Sequence, residues 1–311
     1  MIVTVVPNPA LDKTMVLPDF TIGKIHRAKE VMTLAGGKGF NFARALRTLG
    51  VQTTVVGPIG GHAGQQLLAL AAQEGLIVDA QKVEAELRTC LTIVDPAADY
   101  RLTEIYEQGV AVTPDEWYAL VHRVGLLLSK AQFLVINGSF PPGTPEDGLV
   151  ALLQQAKMHS VPVLLDTHGA QLPAALALEP ALLKINQFEA AEATGLRIDT
   201  PGAALEAAAA LQRLGAQAVV ITLGKAGVVG RSHAKQSFGW SCPSVPAICS
   251  TGSGDSLLAG IVADLVRGQP LAQAARLGAA AGVANTLQLG AGRFTQQQIA
   301  KILPQIRSIS E

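Results

Sequence analysis

The chain has 311 residues, 49% of them hydrophobic and 15% charged, and its 24 lysines and arginines balance 24 aspartates and glutamates. Such a length and apolar content imply one large α/β domain or two ordinary ones with a substantial core, and exclude a disordered chain. Zero net charge removes any global attraction to nucleic acid or anionic membrane, so a phosphate-bearing ligand has to be held by a local cluster of cations.

The first seven residues lack the basic segment and small-residue cleavage site of a leader and read as a first strand. Apolar runs at 2–6, 53–56, 133–136, 161–165, 182–185 and 219–222, each flanked by turn residues, suit parallel strands covered on both faces. Helices are expected between them. Thr113-Pro114, Thr144-Pro145 and Thr200-Pro201 each place a capping threonine before a proline at the first helical position, and Gly50, Gly75, Gly195 and Gly215 mark helix ends. Alternation of this kind predicts a doubly wound, mostly parallel α/β sheet flanked by helices, with residues 1–311 as a single domain.

Two stretches break the rhythm. Residues 12–34 and 87–108 show polar/apolar alternation without a convincing helix and are read as antiparallel strands of a small inserted sheet. Such a sheet has an apolar face to hide and is expected to cover a site, a second subunit, or both. The alanine- and glycine-rich tract 277–290 is interrupted by Asn285 and Gln288, and no run approaches the roughly 18 apolar residues that cross a bilayer. Cys90, Cys242 and Cys249 have no metal or redox spacing, and a cytoplasmic protein is the expectation.

Several chemistries are excluded by absence of their motifs. Gly23-Lys24, Gly37-Lys38 and Gly224-Lys225 are never followed by Ser or Thr, so there is no P-loop. No G-x-G-x-x-G fingerprint and no G-x-S-x-G elbow occur, and six histidines show no metal-ligand spacing.

What remains is a set of modest signals. Gly36-Gly37-Lys38-Gly39 precedes a helix expected over 42–49; it lets backbone approach a ligand, with Lys38 adding charge and Asn41 a donor and acceptor. The same residues also read as a tight strand-to-helix turn with a solvated lysine. Gly252-Ser253-Gly254-Asp255 can aim successive amides at an anion from a helix N-terminus, with Asp255 either a base or a helix cap.

Asn186 and Glu189 fit a hydrated magnesium, or a capped helix start. Thr222 to Gly227 reads as a glycine-bearing strand end or a hairpin turn, and Asn137 to Gly143 as a strand-end loop. Asp12 can accept hydrogen bonds from sugar hydroxyls or close a turn. Arg88, Arg101 and Glu104, on the second inserted stretch, read as a solvated face or as ligands.

Taken in order, segments 8–12, 36–41, 137–143, 186–189, 222–227 and 252–255 resemble the PfkB branch of the ribokinase-like sugar kinases over nearly the whole chain. Lys38 within Gly-Gly-Lys-Gly, the Asn8-Pro9-Ala10-Leu11-Asp12 start and Thr103-Glu104-Ile105 resemble the subgroup of 1-phosphofructokinases and tagatose-6-phosphate kinases. The resemblance implies a ribokinase-like fold with a β-sheet lid, and magnesium-ATP-dependent phosphoryl transfer to a hydroxyl of a phosphorylated ketohexose.

Carried over by motif, Asp255 would be the general base, with Gly252, Ser253 and Gly254 as the anion hole. Asp12, Gly37 and Asn41 would hold sugar hydroxyls, and Lys38, Arg88 and Ser139 the sugar's phosphate. Asn186 and Glu189 would organise Mg2+ and the ATP phosphates. Thr222, Gly224, Gly227 and Asn285 would lie around the nucleotide. Relatives often dimerise through the lid sheet, in which case Lys24 or Arg27 would reach a neighbour's site.

The alternatives are a kinase of an unphosphorylated sugar or nucleoside, and a non-catalytic sugar-phosphate sensor. Three positions depart from the family pattern: Cys249 stands where Asp or Asn is usual, and Phe40 and Phe42 where smaller aliphatics are common.

Overall fold

Runs of valine, isoleucine and leucine that leave neither face wet build the central layer of the molecule, a computed structural model describing residues 1–109 and 111–309. The chain begins with β1 (Ile2–Val5), β2 (Ala10–Val16), β3 (Glu30–Gly36) and α1 (Lys38–Thr48). β4 (Thr53–Ile59), α2 (Gly61–Gln73) and β5 (Ile77–Lys82) lead to β6 (Thr89–Asp95) and β7 (Arg101–Tyr106). Then come α3 (Pro114–Leu128), β8 (Phe133–Asn137), α4 (Gly148–Met158), β9 (Val163–Asp166) and α5 (Leu172–Leu176). β10 (Leu182–Asn186), α6 (Gln187–Thr194), α7 (Pro201–Arg213) and β11 (Val219–Thr222) continue the alternation. The chain closes with β12 (Val228–Arg231), β13 (Ser237–Ser241), α8 (Ser253–Val266), α9 (Leu271–Asn285), α10 (Gln296–Ile302) and β14 (Arg307–Ser308).

The main sheet runs β14-β13-β12-β11-β10-β9-β8-β1-β4-β5, parallel from β11 to β5 and antiparallel beyond β11. Its pleat feeds two cores. Val3, Val5, Leu134 and Ile136 face one, with Trp117 and Phe40; Ile2, Val135 and Val220 face the other, with Phe42 and α8 and α9. This is the ribokinase-like α/β fold expected. The two phenylalanines that depart from the family pattern are fully buried and fill these cores; Cys249 is also buried.

The inserted stretches 12–34 and 87–108 come together as one four-stranded sheet, β3-β2-β6-β7. The outer pairs are antiparallel as expected, but the central pair β2–β6 is parallel, because two separate hairpin-like excursions dock side by side.

Other boundaries shift for local reasons. α1 starts at Lys38 rather than 42, because Gly37 at φ 90° lets the chain enter the helix without a side-chain cap. Thr113 and Thr200 cap α3 and α7 as expected. Thr144 does not cap α4. Its hydroxyl instead donates to the Pro141 carbonyl at 2.8 Å, and the helix begins at Gly148. β9 starts at Val163, two residues late, and extends to Asp166. The 222–227 segment is the hairpin turn between β11 and β12, closed by Leu223 N–H donating to Gly227 C=O at 2.8 Å.

The tract 277–290 owes its composition to helix packing. A Cβ on Gly260 of α8 would lie 2.6 Å from the Gly278 Cα, and one on Gly278 would lie 2.6 Å from the Leu257 carbonyl. α9 is therefore buried nearly all round against α8. Among the described residues no helix is long and apolar enough to cross a membrane. Gly260→Val is expected to destabilise the protein by about 3 kcal/mol through backbone overpacking, read as a lowered urea midpoint at unchanged m.

Candidate active site

Beyond the carboxyl ends of β1, β8, β9, β10 and β11 lies a cleft of about 450 Å³, facing the small sheet on one side and the N-terminus of α8 on another. The chain leaves β1 in opposite directions, to β4 on one side and eventually to β8 on the other, and such switch points are where open α/β sheets bind ligands.

Gly252 at φ 82° turns the chain into α8, and a Cβ there would press on Ala291. The Ser253 N–H is turned back to the Ser250 carbonyl at 3.1 Å, so it is not one of the free donors that the sequence suggested. The amides of Gly252, Gly254 and Asp255 bond to no group among the described residues, and all three residues line the cleft. Unbonded amides at a helix N-terminus suit an anion.

Asp255 is only 5% exposed, and its carboxylate accepts the Asn41 side-chain N–H at 3.0 Å. Burial, reinforced by Asp166, pushes its pKa up to about 6 against the pull of Lys38, Lys184 and Asn41. Arg44 donates to the Asn41 Oδ1 at 3.2 Å and to the Ala291 carbonyl at 2.8 Å, which fixes the way that amide faces. Asn41 thus grips Asp255 as well as lining the cleft.

Asn285 does not lie on the cleft wall where the nucleotide reading placed it. It is fully buried behind the loop, donating to the Thr251 carbonyl (2.9 Å) and Ser253 Oγ (3.2 Å) and accepting from Ser256 Oγ and the Gly292 amide. It shapes the anion loop from behind.

Lys38 lines the cleft together with Arg88 and Ser139, and its Nζ stands 3.0 Å from Asp166 and 4.0 Å from Glu189. Burial works against its charge, but Asp166, Asp255 and Glu189 prevail and raise its pKa. Lys184, buried in β10, meets the other Asp166 oxygen at 2.6 Å, and a Cβ on Gly254 would lie 2.9 Å from its Nζ. Asp166 is wholly buried, yet Lys184 and Lys38 hold its carboxyl below the usual range.

Sequence reasoning missed Asp166, Lys184 and His168. A signal for one was present: a lysine inside a run read as a strand buried on both faces must have a partner.

On the opposite side, Asp12 accepts the Gly37 N–H at 3.3 Å, and Gly36 has no Cβ because one would collide with that carboxylate. Burial pushes Asp12 up to about 6, opposed by the Gly37 amide, Arg44 and Arg88. Arg88 donates to the Asn8 carbonyl at 3.1 Å, while its buried Nε has no partner. Ser139 and Gly37 line the cleft nearby.

Asn186 and Glu189 form a capping box. The Asn186 side-chain oxygen accepts the Phe188 and Glu189 amides at 2.9 Å, and Glu189 accepts the Asn186 amide at 3.0 Å. The remaining Glu189 oxygen meets His168 Nδ1 at 3.1 Å. That hydrogen bond, more than the opposing burial, raises the His168 pKa. Asn186 and Thr222 line the cleft. Gly224 lies on an exposed turn and Gly227 is packed against the Trp240 carbonyl, so neither reaches it.

Among the described residues no three His, Cys, Asp or Glu side chains gather as a metal cage. Glu189, whose Oε1 lies between His168 and Lys38, is the member of the Asn186–Glu189 pair that would reach a largely hydrated Mg2+ through water. Asn186 Oδ1 is already spent on the helix cap.

In a carboxyl NMR titration Asp255 is expected to titrate near pH 6. Lys38→Met should move it upward by removing a cation and Asp166→Asn downward by removing an anion; a value below 4 would contradict the site electrostatics.

The sequence profile of the pfkB family carbohydrate kinases matches residues 8–298. The 1-phosphofructokinase of Xanthomonas campestris pv. campestris is 33% identical over 303 residues, covering 96% of this chain and 94% of that one. The 1-phosphofructokinase of Bacillus subtilis is 28% identical over 309 residues, 99% of each chain. Among solved structures, phosphofructokinase-2 from Escherichia coli in complex with fructose-6-phosphate superposes with a TM-score of 0.89 at 29% identity, covering 98% of both chains. The chain belongs to the pfkB family of carbohydrate kinases, phosphotransferases with an alcohol group as acceptor.

Proposed function

We propose that this protein transfers the γ-phosphoryl group of ATP to a hydroxyl of a phosphorylated ketohexose: fructose 1-phosphate, fructose 6-phosphate or tagatose 6-phosphate. The observation that carries the reading is a buried carboxylate, Asp255, on the same helical turn as unbonded cleft amides, in one cleft with Arg88. The relatives named for 1-phosphofructokinase activity and the neighbour bound to fructose-6-phosphate support it.

In this reading Arg88 and Ser139 hold the sugar's own phosphate, where charge-assisted bonds anchor it. Asp12, Gly37 and Asn41 hold its hydroxyls. Asp255 takes the proton from the attacking hydroxyl as the amides of Gly252 and Gly254 receive the transferred group. Lys38 and Lys184 offset the charge that accumulates there. Glu189 would hold Mg2+ through water, and the ion would neutralise phosphate charge. Asn186 and Thr222 flank the nucleotide. Positioning and charge stabilisation of this kind are what phosphoryl transfer requires.

The lid's outer face carries Met15 and Leu91 with half-exposed Val31 and Ile105, and the loop before β3 exposes Ile22 and Ile25 beside Lys24 and Arg27. Pairing of two lids would cover this surface, so the reading includes a homodimer; a monomer by sedimentation at micromolar concentration would remove that element.

The deciding experiment is ADP release from magnesium-ATP with the three phosphosugars, fructose and ribose. Turnover selective for one phosphosugar is expected. Binding of a phosphosugar without ADP release would indicate a sensor.

Asp255→Asn should lose about a thousandfold in kcat while keeping its fold, the scale of a general base. In the wild type, kcat/KM should fall below about pH 6, because a carboxylate with a raised pKa is protonated, and idle, on the acid side of that value. Arg88→Met should raise KM for the phosphosugar by about a hundredfold, the scale of a hydrogen bond to a charged group. An equal effect on fructose or ribose would favour an unphosphorylated substrate.

A further inference from the structure

Glu104 was read from the sequence as either solvated or a ligand, and its surroundings give it a different place. In the register of the small sheet, Asp12, Cys90 and Tyr106 form one cross-strand row, and Thr14, Thr92 and Glu104 form the next on the same face. Five of these six residues line the cleft. Glu104 stands beside them, at the junction with the anion loop.

There its Oε1 accepts two hydrogen bonds, from Tyr106 Oη at 2.7 Å and from Thr251 Oγ1 at 3.0 Å. Tyr106 and Thr251 both line the cleft. Thr251 immediately precedes Gly252, and its carbonyl is held from behind by Asn285 at 2.9 Å. The residue that leads into the anion loop is therefore gripped on one side by the buried core and on the other by the edge strand of the lid. An acceptor-only carboxylate repels an anionic sugar, so a phosphate contact is not the use of this group.

We infer that Glu104 is a positioning residue: it fastens β7 to the anion loop through Thr251, so that seating of the lid and the shape of the amide site form a single coupled state. The inference rests on the proposed kinase reading for its catalytic consequence, and on geometry alone for the coupling. Glu104 acts through Thr251 and Tyr106 and leaves the sugar to Asp12 and Arg88. Excluding water from a closed site is one gain of such coupling.

The test is a double-mutant cycle on Glu104→Ala and Thr251→Val, with Glu104→Gln as the variant that keeps the acceptor. Each single change should lower kcat about fivefold to tenfold, with Glu104→Gln within about twofold of wild type, the scale of a partly exposed hydrogen bond to a charged group. The double variant should be no worse than the poorer single, and KM for the sugar phosphate should move far less than kcat. Multiplying effects, or a loss confined to KM, would overturn the inference, the latter by making Glu104 a direct sugar contact.

A second readout needs no turnover. Amide hydrogen exchange of the free enzyme should quicken together in β7 and at Ser253 in Glu104→Ala and in Thr251→Val, and not further in the double. Quickening in β7 alone would overturn the coupling. If the wild type phosphorylates none of the sugars, the kinase reading fails while the exchange result still decides the latch.

Discussion

The site depends on one buried carboxylate that does not itself line the cleft. Asp166, at the end of β9, binds Lys38 from α1 with one oxygen and Lys184 from β10 with the other. Burying Asp166 and Lys184, with Lys38 one-third exposed beside them, is costly, and replacing buried ion pairs with apolar residues often leaves a protein no less stable. Its retention makes sense as placement. Two ammonium groups are held near the turn into α8 and near Asp255, where they oppose the burial and the Asp166 charge that push that carboxylate up to about 6.

Close backbone approach makes this placement possible. Gly36 leaves room for the Asp12 carboxylate, Gly252 for the turn against Ala291, and Gly254 for the Lys184 ammonium beneath it. Gly260 and Gly278 bring α8 and α9 together, and α9 ends in Asn285, which holds the loop from behind. Helix packing in the core and the shape of the anion site are thereby parts of one construction. The small sheet closes it from the other side, through Asp12 at its centre and Glu104 at its edge.

Much of this was legible in the sequence because local chemistry demanded it. Apolar runs bounded by turns specified the parallel strands. Threonine–proline pairs specified α3 and α7, and glycine-bearing segments next to Lys38 and Asp255 marked two helix starts at the cleft. The Thr144 reading failed because a nearby carbonyl competed for its hydroxyl. Strands β5, β12, β13 and β14 went unnoticed because short or edge strands lack a continuous apolar run.

The sequence by itself determined the family, the doubly wound α/β plan and the identity of the carboxylate on α8, since each is written in contiguous residues. Only the tertiary structure decided who partners whom. Lys38 pairs with Asp166, Asn285 holds the Thr251 carbonyl from behind, and Glu104 meets Thr251 across 147 positions of chain. Such pairings depend on how separate strand ends converge in space, and the energy of a buried charge or hydrogen bond is fixed by neighbours that the linear order does not bring together.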